Sequence, residues 1–320
     1  RWFLLGGVVA FVLFLPHLVW QITHNFPTLE WQNNVVAQNK NVQLSPVEFF
    51  LQQILMVHPL TFPIWLLGLY GFFFSDFAKE FRAFGWAYIF LFLIFIALGA
   101  KAKAYYLTPF YPVLLGGGAV AISSFILRRE RYSWVRPTLM SVLIIGGAYT
   151  APLVLPILPE ETFIEYSKLV PVSNSAGEHH RMGKLPQQYA DMHGWEELAA
   201  DVAKVYRSLP EGEQKKCAIF GQNYGEAGAI DLFGRKYNLP KAISGHQNYY
   251  FWGPREYTGE LVIVIGDSKE SLERVFTSVD LAAVHESEYA MPYESNLPIF
   301  VCRGLKTSLK DLWPKVKEWI

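Results

Sequence analysis

The sequence predicts a polytopic α-helical membrane region of about five spans, followed by an extracytoplasmic three-layer α/β domain with a mostly parallel sheet. Three observations predict it. Residues 1–158 contain five long stretches free of Asp, Glu, Lys and Arg, and a helix needs about 20 apolar residues to cross a bilayer. Charge divides unevenly: by count from the sequence, residues 1–158 hold ten Lys/Arg and five Asp/Glu, a net of +5, while residues 159–320 hold eighteen and twenty-three, a net of −5. From Tyr189 onward helix-like and strand-like periods alternate, which implies a sheet covered on both faces. The division is therefore a transmembrane region at 1–158, a linker at 159–189 and a soluble domain at 190–320.

The first apolar stretch, Trp2–Leu29, is unbroken to about Trp20–Ile22, where His24, Asn25 and Pro27 mark its exit. The second, Phe49–Ser75, is interrupted by His58-Pro59 and Pro63, so it divides into an interfacial helix near Phe49–Val57 and a span from Leu60 to Phe74. Ala83–Ala100, Ala104–Leu127 and Pro137–Pro159 are the third, fourth and fifth. Lys and Arg accumulate in short cytoplasmic loops. Arg128, Arg129, Arg131 and Arg136 thus put the loop after the fourth span inside, with Arg1 and the Lys79/Arg82 loop. Residues 25–47, the 101–105 connection and everything after Leu158 fall outside. The basic residues lie scattered at the ends of apolar runs rather than on one face, which excludes a nucleic-acid partner. The chain opens at Arg1 directly in an apolar run and reads as the C-terminal part of a longer protein.

In the soluble part, Gly194–Leu209 reads as a helix with Trp195, Leu198, Val202 and Val205 on one face, stopped by Pro210. Cys217–Gly221 reads as a strand, Gly225–Tyr237 as a helix, and Ala242–Ser244 and Leu261–Gly266 as strands. Ser271–Val279 reads as a helix, Leu281–His285 and Pro298–Cys302 as strands, and Ser308–Ile320 as a closing helix. Cys217 and Cys302, the only cysteines, are too few for a zinc site. They read either as buried free thiols or as a pair formed outside the cytoplasm. Pro171–Pro186 reads as a loop, and its His179-His180 lacks the Cys or carboxylate support of a metal site. No cofactor follows from the sequence, and a divalent metal is left open.

Several groups of residues bear on chemistry. Lys101 and Lys103 break the charge rule by falling on the outer face, where they read either as ammonium groups snorkelling to headgroups or as an anion site. Tyr105, Tyr106 and Tyr111 would add hydroxyl donors to the same phosphate oxygens. The loop Asn25–Pro46, with Glu30, Trp31 and several amides, reads as a solvated connector or a binder of sugar hydroxyls. His17 and His58 lie at apolar depth, as functional groups or as neutral rings bonded to neighbouring helices. Ligands of an open α/β sheet sit beyond strand carboxyl ends, and two segments fall there. One carries Asn223, Tyr224, Glu226 and Asp231; the other carries His246, Asn248, Tyr249, Phe251 and Trp252. Aromatic faces and amides suit a glycan, and packing against the core or the membrane surface is the plainer use of the same rings. Glu226, Asp231 and His246 form an acid/base set only if the fold brings them together.

Five segments, Pro16–Gln21, Asn25–Trp31, Lys103–Pro112, Asn223–Asp231 and Ser244–Pro254, together make the chain resemble bacterial family 39 glycosyltransferases. These are relatives of the dolichyl-phosphate-mannose protein mannosyltransferases and of the aminoarabinose transferase that modifies lipid A. The resemblance implies a multi-pass enzyme of the bacterial inner (cytoplasmic) membrane. Its partners would be a lipid-linked sugar donor, a glycan, lipid or protein acceptor, and membrane lipid. It implies carrier-phosphate contacts at Lys103 and Tyr106 and a catalytic aspartate in a loop outside this sequence, a place Glu30 does not fill. Asn223, Tyr224, Glu226, His246, Asn248, Tyr249 and Trp252 are the candidate acceptor contacts. The other function the sequence allows is a membrane-anchored module that binds glycan or peptidoglycan without catalysis.

Overall fold

The computed structural model describes residues 2–99, 103–169 and 180–320, the side chain of Phe77 excepted. In chain order the elements begin with α1 (Trp2–Thr23), α2 (Pro27–Ala37), α3 (Pro46–Met56), α4 (Phe62–Phe74), α5 (Arg82–Leu98), α6 (Tyr111–Arg128), α7 (Val135–Thr150) and α8 (Glu160–Leu169). There follow α9 (Gln187–Ala190), α10 (Trp195–Ser208), α11 (Glu211–Gln214), β1 (Cys217–Gly221), α12 (Tyr224–Phe233), β2 (Ala242–Ile243) and α13 (Asn248–Trp252). The chain closes with β3 (Leu261–Ile265), α14 (Lys269–Val275), β4 (Phe276–His285), β5 (Leu297–Leu305) and α15 (Leu309–Leu312). Two compact units emerge, one of residues 2–37 with 180–320, the other of residues 38–169. Hydropathy alone separates all of 1–158 from the soluble part. Contact instead groups α1 and α2 with the α/β domain.

Long apolar helices mark a membrane-spanning region. Among the described residues three are long and apolar enough to cross a bilayer, Trp2–Thr23, Ala78–Leu98 and Ala104–Arg128, and the pair Pro46–Met56 with Pro59–Phe74, bent by 94°, brings the number to four if it is one broken span. The bend lies where His58-Pro59 interrupts the apolar run. His58 has φ +78°, and its Nδ1 accepts the Leu60 N–H at 3.2 Å, so this ring caps the turn that follows. The last apolar stretch is α-helical over the 16 residues of α7, about 24 Å of rise against a hydrocarbon core of about 30 Å, and continues into a 3-10 turn at Ala151–Leu153.

In the 38–169 unit, α4 and α6 cross at backbone contact because glycine meets glycine. A Cβ on Gly68 would lie 1.8 Å from the Leu114 carbonyl oxygen, and one on Gly118 would lie 1.9 Å from that of Ile64. Small residues let helix backbones approach in this way within membranes. Trp65, Leu107, Tyr111 and Leu114 fill the interior around that crossing.

In the other unit the sheet order is β2-β1-β3-β5-β4. β1 pairs in parallel with β2 and β3, whereas β5 is antiparallel to both β3 and β4, so the sheet is mixed rather than mostly parallel. The connection causes the difference: a parallel return needs a helical crossover of a dozen residues or more, and β4 reaches β5 through 286–296, which holds only a 3-10 turn at Pro292–Glu294. β4 also starts at Phe276, inside the expected helix. Strand residues alternate between two cores, as the pleat requires. Cys217, Ile219, Leu261, Ile263 and Ile299 face α10 and α12, while Ala218, Val262, Val264, Phe300 and Cys302 face α14 and Trp313. The two cysteines are buried and free, on opposite faces of the sheet, and cannot pair. Burial pushes both thiols up to about 12. The expected closing helix shrinks to α15 and a 3-10 turn at Trp313–Lys315. Pro314 has no N–H to continue it, and Glu318 then pairs as an isolated bridge with His246.

Candidate functional site

α1 is apolar until its final turns, where His17, Trp20, Gln21 and then His24 appear. Two consecutive residues with positive φ, Asn25 at 60° and Phe26 at 54°, reverse the chain into α2, a conformation uncommon for a bulky side chain. The corner is held by the Phe26 N–H, which donates to the Gln21 carbonyl at 2.6 Å, and by the Gln21 amide. Gln21 Nε2 donates to Thr28 Oγ1 at 2.5 Å, while Gln21 Oε1 accepts the Thr28 N–H at 3.3 Å. The polar stretch after α1 is thus a helix docked on the α/β domain, not a solvated connector.

Four hydrogen bonds tie α2 to the C-terminal segment. Lys317 Nζ donates to both Glu30 carboxylate oxygens at 2.7 Å, Trp319 Nε1 donates to the Pro27 carbonyl at 2.6 Å, and Asn34 Nδ2 donates to the Trp319 carbonyl at 2.6 Å. Opposite stands the turn that opens at Gln247, φ +48°, and leads into α13. The Phe251 ring meets Trp20 at 5.5 Å, His24 at 5.0 Å and Trp319 at 5.1 Å, each edge-on.

These parts line an open cavity of about 730 Å³. Its wall presents five aromatic side chains, Trp20, Trp31, Phe251, Trp252 and Trp319, the amides of Gln21, Gln247 and Asn248, and the imidazoles of His17 and His24. Among the described residues no Asp, Glu, Lys or Arg lines it. Apolar walls with a few convergent polar groups are what small-ligand sites have in common. Asn248 and Trp252 were expected from the sequence, and His17 and Trp31 were noted there. Gln21, His24 and Gln247 adjoin those motifs without standing out, and nothing in the sequence singles out Trp319.

The remaining expected acceptor contacts lie outside this cavity. Tyr249 packs against Trp252 with ring centroids 4.6 Å apart, but its hydroxyl donates to Asp231 Oδ2 at 3.2 Å; burial, with the Asp231 charge, pushes that phenol up to about 12. Tyr224 is exposed. His246 is buried, its Nδ1 accepting the Tyr224 N–H at 3.3 Å and its Nε2 donating to the Ile320 carbonyl at 3.2 Å. Asp231 is committed to Tyr249 and to the Ala242 N–H, at 2.9 Å. No hydrogen bond among the described residues joins Glu226, Asp231 and His246 into an acid/base set.

Glu226 has a different neighbour. Beyond the carboxyl ends of β1 and β3, where the strand order reverses, Asn223 Nδ2 donates to Glu226 Oε1 at 3.2 Å and to Glu294 Oε1 at 3.1 Å. The Gln222 N–H donates to Glu226 Oε2 at 2.6 Å. Both carboxyls are buried. Burial and the Glu294 charge push Glu226 up to about 8; burial, with Asp191 nearby, pushes Glu294 up to about 7.

In the 38–169 unit, Lys103 is half-buried and precedes the 3-10 turn Ala104–Phe110, on which Tyr105 and Tyr106 are exposed with their rings 5.1 Å apart. Tyr111 does not join them. It is buried, donating to Gln53 Oε1 at 2.7 Å and lying 3.2 Å from the Tyr88 hydroxyl. Lys101 and His179 lie outside the described residues, as does the segment 170–179. His180 packs against Tyr293 with ring centroids 4.8 Å apart. Among the described residues no three His, Cys, Asp or Glu side chains group as metal ligands. The chain matches no family model, no curated protein and no solved structure.

Proposed function

We propose that this chain belongs to a membrane glycosyltransferase that moves a sugar from a polyprenyl-phosphate carrier to an acceptor at the outer face of the bacterial cytoplasmic membrane. The observation that carries the reading is the cavity at the end of α1. Two neighbouring segments, Pro16–Gln21 and Asn25–Trp31, and the distant Ser244–Pro254 converge on it with aromatic faces and amides, the groups that stack on sugar rings and bond hydroxyls. Its position at the end of a 22-residue apolar helix suits a substrate whose sugar stands at headgroup depth. In this reading Lys103, Tyr105 and Tyr106 hold the carrier phosphate, the α/β domain lies outside the membrane, and Tyr111 serves the bundle interior.

One observation favours the second reading, a membrane-anchored module that binds glycan without catalysis: the cavity wall contains no carboxylate to act as a base. Sugar transfer in membranes from cells expressing the protein at its native locus separates the two. The enzyme reading expects Lys103→Ala and Tyr106→Phe each to lower transfer at least about tenfold, the loss of about 1.4 kcal/mol of transition-state binding. Transfer unchanged by both substitutions removes the phosphate site, and retained glycan binding without any transfer leaves the binding module.

A further inference from the structure

The two imidazoles in the cavity wall have opposite hydrogen-bonding faces, and their neighbours decide which is which. The Thr28 N–H can only donate, so the Gln21 atom it meets at 3.3 Å is the oxygen, and Gln21 Nε2 is the donor that faces His17 Nε2 at 3.3 Å. His17 Nε2 therefore accepts, and the proton of the neutral ring sits on Nδ1. In His24 the order is reversed. Nδ1 lies 2.9 Å from the Trp20 carbonyl oxygen, which can only accept, and 3.0 Å from Thr23 Oγ1, whose own proton is directed at the Val19 and Trp20 carbonyls, so Nδ1 carries the proton and Nε2 carries a lone pair. The ring is held there by stacking on Trp20 at 4.8 Å and by the edge of Phe251 at 5.0 Å.

Among the described residues the wall is also uncharged. Lys317 and Glu30, which pair beside it, are closed on each other. An ionised carboxylate or phosphate settling in this open pocket gives up part of its water without gaining a cation, a cost that an uncharged hydroxyl-bearing ring does not meet.

Resting on the saccharide reading of this cavity, we propose that it selects an uncharged sugar over an anionic one, with His24 Nε2 accepting from one hydroxyl and His17 Nδ1–H donating to another. Stacking on the tryptophans gives affinity for any sugar ring, while the tautomer pair and the missing cation set the selectivity.

The test uses the whole chain in lipid nanodiscs and matched soluble probes, the methyl glycosides of glucose, galactose and mannose and the corresponding methyl uronides. Saturation-transfer NMR reads which of them contact the protein. At least one neutral glycoside is expected to bind about tenfold or more tighter than its uronide. Trp252→Ala, at an exposed position, is expected to weaken that binding about tenfold. His24→Lys replaces the lone pair with a cation and is expected to invert the preference toward the uronide. Equal or tighter binding of the uronide by the native chain overturns the proposal. So does absence of binding by every neutral glycoside, or a preference that His24→Lys leaves unchanged. Selective binding of a neutral glycoside without sugar transfer would sustain this inference and remove the glycosyltransferase reading; transfer without selectivity would do the reverse.

Discussion

Glu226 and Glu294 bury two carboxyl groups around one asparagine, and no cation pairs with either among the described residues. Two such groups cannot both ionise cheaply, and they lose their protons as a coupled pair, near pH 7 and 8. The sign follows from linkage. Both lie above the ordinary 4.5, so between about pH 4.5 and 8 the folded chain keeps protons that the unfolded chain releases. Stability then falls as pH rises through that window, by up to about 1.4 kcal/mol per pH unit for each proton involved, and levels off above it. Thermal unfolding from pH 5 to 9 is expected to show this fall. Glu226→Gln keeps an acceptor for the Gln222 N–H and is expected to flatten the curve and to raise Tm at pH 9; an unchanged slope would count against Glu226 holding its proton in that window. The sequence shows these glutamates only as polar residues near a helix start and in a loop, because their pairing depends on the return from β4 to β5. Tyr111 carries the opposite lesson. It sits in the same motif as Lys103, but helical rotation turns it inward to Gln53, and no spacing argument sees Gln53 coming.

At the scale of elements, much was legible where local chemistry decides. His58-Pro59 announces the bend between α3 and α4, the apolar face of α10 gives its buried side, and the alternation in β1 and β3 gives both cores. The failures are tertiary: the antiparallel β5, and a closing helix displaced by Pro314 and by the commitments of Lys317 and Trp319 to α2. The α4–α6 crossing also escaped the reading, although Gly68 and the run Gly116–Gly118 are visible signs of close helix approach. Gly68→Leu must push the Leu114 carbonyl away and is expected to abolish the folded unit in detergent, measured by size-exclusion and trypsin resistance. Gly116 has no atom within 4 Å of an added Cβ, so Gly116→Ala is expected to behave as wild type. The Glu30–Lys317 contact supplies a second test. It is partly buried and charge-assisted, so Lys317→Met is expected to cost about 1–2 kcal/mol. Hydrogen exchange should then show faster opening of α2 and of residues 316–320 while β1 and β3 stay protected; uniform protection would mean the pair contributes nothing.

For the whole molecule, composition divides the chain by solvent, apolar before residue 158 and charged after it, and that division found the membrane-spanning region. Contact divides it differently, since α1 and α2 belong to the same compact unit as the α/β domain. This regrouping is what builds the cavity, and it explains why half of that site was hidden. The sequence offered Asn248 and Trp252 on one side and an amide-rich loop on the other, with no sign that Trp319 joins them. The central claim is that this cavity receives a sugar ring. The most direct measurement is the affinity of the full chain in nanodiscs for a short-chain polyprenyl-phosphate hexose and for the free polyprenyl phosphate, compared between wild type and Trp252→Ala. Trp252→Ala is expected to weaken binding of the sugar-bearing lipid about tenfold or more and to leave binding of the sugar-free phosphate unchanged. Wild-type affinity in the variant, or an equal loss on the sugar-free phosphate, would contradict it.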